Sequence, residues 1–355
     1  MAVASPGGEV RELAIAQERA QEKRTKGGSM ANLKTHYLGL TLRSPLIASS
    51  SPLTASLTKV VDLEAAGIGA VVLPSLFEEQ LLKEEVAEHS YEDYGGALEA
   101  FPKLEEFRFS ARAYLDHIRA LKSSIGVPII ASLNGASPGW WTRYAKIIEE
   151  AGADALELNL YSVPTDPDRA GSEIEMETLD IVRLVRAQIR IPLAVKLSPF
   201  YTSFAHMAKR LHAAGANGAV LFNRFYQPDI DEEHLTLRSG LLPGSSRDTR
   251  IPLTWIGILY GRLAIDLAAT GGILEAADAL KVILAGANVA MLCSALLERG
   301  TEHVRLLCAG VAHWMERHGY ESIEQWRGLL SQKNCADPET FERAQYVAAV
   351  SAGGG

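Results

Sequence analysis

The stretch WTRYAKIIEEAGADALELNL, residues 141–160, decides how this chain is read. Trp141–Ala151 spaces its apolar residues at helical intervals, and Ala155–Leu160 is a short apolar run. Between them stands Ala151-Gly152-Ala153, where glycine supplies a left-handed helix stop without a Cβ clash. Helix, glycine stop and buried strand make one unit of a parallel β/α fold.

The unit recurs on both sides. Further apolar runs lie at Pro45–Ser50, Ala70–Pro74, Pro128–Leu133, Leu193–Leu197, Ala219–Phe222, Ala264–Ala268 and Val289–Leu292. Parallel strands covered on both faces show continuous rather than alternating hydrophobicity. Helical patterns over Thr178–Ile189, Phe204–Ala214 and Leu274–Ala285 fall between runs, and the last two repeat the stop at Ala214-Gly215-Ala216 and Ala285-Gly286-Ala287. Eight runs alternating with helices predict a TIM (β/α)8 barrel. An open doubly wound sheet would carry a Gly-x-Gly-x-x-Gly turn after its first strand, and here that place reads Ser50-Ser51-Pro52-Leu53-Thr54.

Residues 30–350 are therefore expected to form a single barrel domain. Residues 1–29, polar from Glu9 to Lys26 and ending in Gly27-Gly28-Ser29 before Met30, read as an appended or flexible segment, and 351–355 as a flexible tail. Two connections exceed a plain loop and helix. Ser75 to Val127 includes the acidic, aromatic stretch Glu88–Pro102, and Arg224 to Arg262 carries Gly and Pro turns around Gly240–Gly244. Both follow the C-terminal end of a strand, the face where barrels place their active sites, so both are expected to be insertions over the site.

Composition narrows the function. A net charge of −8 argues against a broad nucleic-acid or anionic-membrane surface. Cys293, Cys308 and Cys335 lack paired metal spacing, so no metal or iron–sulfur cluster is expected. No run approaches the ~18 apolar residues of a membrane span, and a cytoplasmic protein is expected.

The chemistry collects at the strand ends. Thr270-Gly271-Gly272-Ile273 follows the seventh run and Cys293-Ser294-Ala295-Leu296 the eighth, each read as opening a helix. Exposed amides on glycines and helix starts form an anion site, and barrels commonly bind phosphate after strands seven and eight. A tight strand-to-helix turn is the plainer reading of the glycine pair. Lys196, at the end of the fifth run, must place its ammonium in water, on a carboxylate or on an anionic ligand. It could face a flavin at N1 and the C2 carbonyl, form a Schiff base as barrel aldolases do, or pair with a carboxylate inside the barrel. Asn159 and Asn223 end the fourth and sixth runs and flank Lys196; each offers a donor and an acceptor, as a flavin edge or cyclic amide needs, and either could also be a satisfied turn residue.

At these residues the chain resembles the flavin barrels of the dihydroorotate dehydrogenase family, including the matching domain of dihydropyrimidine dehydrogenase. The resemblance runs from about Leu33 to Glu298. It includes Leu38-Gly39-Leu40, Ser44-Pro45-Leu46, the Ser49-Ser50-Ser51-Pro52 turn, Glu157-Leu158-Asn159-Leu160, Val195-Lys196-Leu197, Asn223, Thr270-Gly271-Gly272-Ile273 and Ser294-Ala295-Leu296. It implies FMN as cofactor, contacted by Ser49, Ser50 and Ser75. The phosphate would lie on Gly271, Gly272, Ser294 and Ala295, with Lys196 at the N1/C2 edge. Asn159 and Asn223 would face ring and substrate, joined by Asn134. The implied activity is oxidation or reduction of a CH–CH bond in a small cyclic or enoate-like substrate, dihydroorotate being the best known.

The departures fall mainly on the substrate side. The family's Lys-Ser pair after the second strand is Pro74-Ser75 here. The loop that carries its Cys or Ser base reads Asn159-Leu160-Tyr161-Ser162-Val163-Pro164-Thr165-Asp166, which leaves Ser162 as the matching base and Tyr161 and Asp166 as other proton acceptors, Tyr161 also as a substrate contact. Ser162 could equally cap a turn. The family's Asn-rich substrate loop is replaced by His89-Ser90-Tyr91-Glu92-Asp93-Tyr94-Gly95-Gly96. Two other classes stay open: a Schiff-base lyase or aldolase using Lys196, and an electron-relay barrel that keeps FMN without a substrate base. Electrons would leave to a soluble acceptor or a partner chain, and Val304–His318 could support a homodimer or simply cover the barrel.

Overall fold

The computed structural model describes residues 31–80, 109–135, 138–225, 227–238, 244–336, 338–342, 346–347 and 350–351. The N-terminal segment 1–29, the Glu88–Pro102 stretch with its His89–Gly96 loop, most of the Gly240–Gly244 turn and the tail beyond Ser351 lie outside the described residues.

A short antiparallel hairpin, β1 (Thr35–Tyr37) and β2 (Leu40–Leu42), precedes the repeating units. Its two-residue turn places Leu38 at φ 55° and Gly39 at φ 72°, the paired positive values that match a twisted hairpin. The units are β3 (Leu46–Ala48) with α1 (Leu57–Ala66), β4 (Ala70–Phe77) with α2 (Ala111–Ser124), and β5 (Ile129–Asn134) with α3 (Pro138–Glu150). Next come β6 (Ala155–Asn159) with α4 (Gly171–Gln188) and β7 (Leu193–Leu197) with α5 (Phe204–Ala213). After β8 (Gly218–Leu221) the chain makes a second hairpin, β9 (Asp229–Asp231) and β10 (Thr236–Arg238), before α6 (Arg250–Leu259). The last units are β11 (Asp266–Thr270) with α7 (Ala276–Ala285) and β12 (Val289–Leu292) with α8 (Ser294–Arg299) and α9 (His303–His318).

The strands close in the order β11-β12-β3-β4-β5-β6-β7-β8, every neighbouring pair parallel. This is the (β/α)8 barrel expected from the repeating pattern. Strand alternation divides the core into two shells. Leu156, Leu158, Val195 and Leu197 pack outward against the helices, whereas Ala155, Ala194, Val220 and Ala268 fill the barrel interior. The expected glycine stops are present, with Gly152 at φ 98°, Gly215 at 103° and Gly286 at 128°.

The first hairpin closes the N-terminal end of the barrel. Tyr37, Leu38 and Leu42 are fully buried in the interior shell. Leu38 N donates to Asp266 Oδ2 at 2.7 Å, Asn288 Nδ2 donates to His36 O at 2.9 Å, and Thr35 Oγ1 donates to Asn288 O at 3.1 Å. Leu38 also lies so close to β8 that a Cβ on Gly218 would stand 2.6 Å from its Cδ2.

Several boundaries move. The seventh strand is Asp266–Thr270, two residues later than Ala264–Ala268. Asp266 anchors its start through Leu38 and through Asn288 Nδ2 at 3.0 Å, a long-range tie that hydropathy does not register. The second strand continues past Pro74 to Phe77 through an irregularity between Val72 and Ser75. The Gly271-Gly272 turn does not open a helix directly, because α7 starts only at Ala276.

Candidate active site

A cavity of about 930 Å³ opens at the C-terminal face of the barrel. Ser49, Ser50, Ser75, Asn159, Lys196, Asn223, Gly271, Gly272 and Ser294 all line it. Asn134 and Ala295 do not: Asn134 ends β5 half-buried beside Phe77, and Ala295 is fully buried in α8.

The floor of the site is set by strand register. Asn159 and Lys196 are paired positions on β6 and β7, and each shares the inward face with Ala155 or Ala194. The ends of the strands are stitched by Leu160 N to Lys196 O at 3.3 Å and Asn223 N to Leu197 O at 2.7 Å. Across them Asn223 Nδ2 donates to Asn159 Oδ1 at 2.5 Å. That bond orients both amides and leaves the Asn159 NH2 and the Asn223 carbonyl as the remaining polar ends of the pair.

Lys196 stands between the cavity and a carboxylate. Its Nζ lies 4.0 Å from Oε1 of Glu157, which is 1% exposed inside the barrel. Burial pushes the Glu157 carboxyl above its ordinary value, and the Lys196 charge pulls it back down. The lysine therefore has the carboxylate partner that was one of its expected readings, and it also lines the cavity. Cys293, at the start of α8, lines the same cavity; burial raises its thiol, while Lys196 and then Arg224 lower it.

Three turns converge on the opposite wall. Gly271 has φ 95° and its missing Cβ would meet nothing within 4 Å, whereas a Cβ on Gly272, at φ 71°, would fall 2.1 Å from Ser245 O. Gly244 N donates to Ser294 Oγ at 3.1 Å, and a Cβ on Gly244 would stand 3.5 Å from Gly272 N. Asp278, buried in the first turn of α7, holds this corner together. Its Oδ2 accepts from Leu274 N at 3.2 Å, Glu275 N at 3.1 Å and Ser246 Oγ at 2.7 Å.

The loop expected to carry the base stands outside the cavity lining. Ser162 is exposed and outside the cavity lining, and Asp166 is exposed with Oδ1 accepting from Asp168 N at 2.9 Å. Tyr161 is half-buried, its ring 6.3 Å from that of Phe225, which lines the cavity and packs edge-on against Phe200 at 4.8 Å. At the place of the family's Lys-Ser pair, Ser75 Oγ and Ser132 Oγ hydrogen-bond at 2.8 Å. Glu157, Cys293, Gly244, Gln80 and Arg224 were not among the expected site residues, although Glu157, Cys293 and Gly244 stand in stretches that the sequence singles out. Only Glu157 left a clear signal, a charge inside an otherwise apolar strand run, two residues from Asn159.

The site is thus a cavity at the C-terminal face of a closed parallel barrel, with an inward lysine, paired asparagines and a glycine-lined corner. A family model for dihydroorotate dehydrogenase matches residues 108–315. A putative dihydroorotate dehydrogenase A (fumarate) of Aeropyrum pernix is 30% identical over 207 residues, 56% of this chain and 66% of that protein. The catalytic subunit of dihydroorotate dehydrogenase B (NAD(+)) of Methanothermobacter thermautotrophicus is 26% identical over 309 residues, covering 84% of this chain and 98% of the relative. That of Methanocella arvoryzae is 29% identical over 301 residues, 79% and 91% of the two chains. The chain belongs to the dihydroorotate dehydrogenase family. It is a flavin-dependent oxidoreductase of that type, acting on a CH–CH donor, and the Schiff-base lyase is not favoured.

The residues suit a flavin. The cavity is of cofactor size, its glycine corner presents open backbone, and two buried polar atoms in its lining, Ser51 Oγ and Gln80 Nε2, have no hydrogen-bond partner among the described residues. Among the described residues no helix is long and apolar enough to cross a membrane, and no cluster of three His, Cys, Asp or Glu could hold a metal ion.

Proposed function

We propose that this barrel, as a single domain over residues 30–350, binds FMN and oxidises or reduces a CH–CH bond in a small cyclic amide, dihydroorotate being the first substrate to test. The observation that carries the reading is the row Asn159, Lys196 and Asn223 across the ends of β6, β7 and β8, facing the Gly271-Gly272 and Ser294 corner through one cavity.

Bound FMN would supply the hydride acceptor or donor. The backbone at Gly271, Gly272 and Ser294 would hold its phosphate, with Gly244 tightening the corner through Ser294. Lys196 would place positive charge at the N1/C2 edge, where reduction adds negative charge. Ser49, Ser50 and Ser75 would complete the flavin contacts, while Asn134, expected among them, stands outside the cavity lining. Asn159 and Asn223 would orient the substrate ring, and Tyr161 would close on it beside Phe225.

Ser162 would carry the substrate proton once the loop 160–166 folds over the cavity; a serine hydroxyl needs a relaying neighbour or water for that task. Electrons would pass to a soluble acceptor or a partner chain. The naming of two relatives as catalytic subunits supports the partner chain. Self-association as a homodimer through α9 and a cytoplasmic location complete the reading.

An absorbance spectrum followed by anaerobic addition of dihydroorotate tests it. Flavin bands that bleach support both cofactor and substrate. Flavin bands that persist reject dihydroorotate and keep the cofactor. A protein that stays colourless after incubation with FMN rejects the reading of the cavity.

A further inference from the structure

Beneath the cavity lies a charge pair with one member that the flavin reading leaves without a task. Neither carboxylate oxygen of Glu157 receives a hydrogen bond among the described residues. Lys196 Nζ, at 4.0 Å, is within Coulomb range and beyond hydrogen-bond length. The surrounding elements offer Glu157 no other cation among the described residues that act on it. Ser132 of β5 and Ala194 of β7 are its register neighbours. The Tyr37 hydroxyl from the N-terminal hairpin is buried, without a hydrogen-bond partner among the described residues, and feels both Glu157 and Asp266. The Tyr114 hydroxyl from α2 is engaged with Ser132 N at 2.9 Å. A buried carboxylate without hydrogen bonds is disfavoured in its charged form, so Lys196 is what offsets that charge.

We propose that Glu157 is a positioning residue for Lys196: it draws the ammonium toward the barrel axis and, while ionised, cancels part of the positive charge that Lys196 presents to the cofactor. The inference rests on the flavin reading of the cavity. Protonation of Glu157 by solvent leaves the full lysine charge facing the ring, and that charge favours the reduced, more negative flavin. By linkage, reduction favours uptake of one solvent proton at Glu157, with no bond made to the flavin. Glu157 is thus the residue that makes the electron affinity of the site depend on pH through Lys196.

The test is Glu157→Gln, which keeps the shape and removes the charge, read as the midpoint potential of bound flavin by dye equilibration across pH. At pH above the Glu157 titration the variant is expected to shift toward the reduced form by about tenfold, about 30 mV for a two-electron couple. The gap closes as pH falls and wild-type Glu157 takes up its proton. Glu157→Asp, which withdraws the carboxyl by one methylene, shifts the potential in the same direction by less, and it serves if the glutamine variant does not fold. Equal potentials at every pH, or a shift that ignores pH, overturn the inference while the flavin reading stands. Failure of wild type and variants alike to take up flavin overturns the reading of the cavity, and this inference with it.

Discussion

The side-chain amide of Asn223 reaches over the end of β7 to donate to Asn159 Oδ1 at 2.5 Å, so two strands that are not neighbours share one polar edge above Lys196. Each asparagine fixes the rotamer of the other, and the pair acts as a unit.

Removing one member disorients both. Asn223→Ala is expected to keep its flavin and to lower kcat/KM by about 100-fold, the effect of deleting one transition-state hydrogen bond and misaligning the partner amide. Stopped-flow reduction with a substrate that bleaches the wild type measures it. An unchanged rate removes Asn223 from the substrate edge.

The glycine corner separates steric need from conformational need. Gly272→Ala places a methyl 2.1 Å from Ser245 O at φ 71°, and is expected to cost about 2–4 kcal/mol and to abolish flavin retention. Gly271→Ala meets nothing within 4 Å among the described residues and is expected to cost only the strain of its positive φ, about 1 kcal/mol. Urea unfolding of the two variants gives the comparison, and equal destabilisation would refute it.

Asp278 binds three donors from two segments. Asp278→Ala leaves the Leu274 and Glu275 amides and the Ser246 hydroxyl without their acceptor, with an expected loss of about 2 kcal/mol. Flavin should also dissociate faster, since the Gly272 turn loses its tie to 246. A variant as stable as wild type with the same off-rate argues against this role.

His117 on α2 bonds Thr54 O through Nε2 at 3.1 Å, and burial holds its pKa below the ordinary 6.5, the hydrogen bond partly opposing this. The unfolded chain therefore binds the proton first. The stabilisation is fully present above the unfolded pKa and is lost as pH falls through the folded one. Melting temperature should drop as pH falls below the ordinary histidine value of 6.5, with part of that slope absent in His117→Gln. Parallel slopes in the two proteins would show that His117 does not contribute.

The barrel was legible because its strands are buried on both faces, which leaves apolar runs such as Leu193–Leu197 that match the observed β7. The glycine stops at 152, 215 and 286 were legible because only glycine takes those angles cheaply. The start of β11 was not, since it depends on Asp266 meeting Leu38 from the other end of the chain. At the site, Lys196 and the asparagines stood out as polar residues at strand ends. Gly244 and Asp278 act through contacts made far along the chain, Gly244 with Ser294 and Asp278 with Ser246, and nothing local marks them. The loop 160–166 keeps the spacing of a base yet leaves Ser162 exposed, because the position of a loop depends on what packs over it.

The hairpin that stoppers the barrel at Leu38 and Gly218 leaves the cavity, among the described residues, open only at its C-terminal mouth. Whatever enters at the mouth must depart by it. Two small molecules that both need the innermost ring must therefore take turns, and their initial-rate lines would run parallel rather than converge.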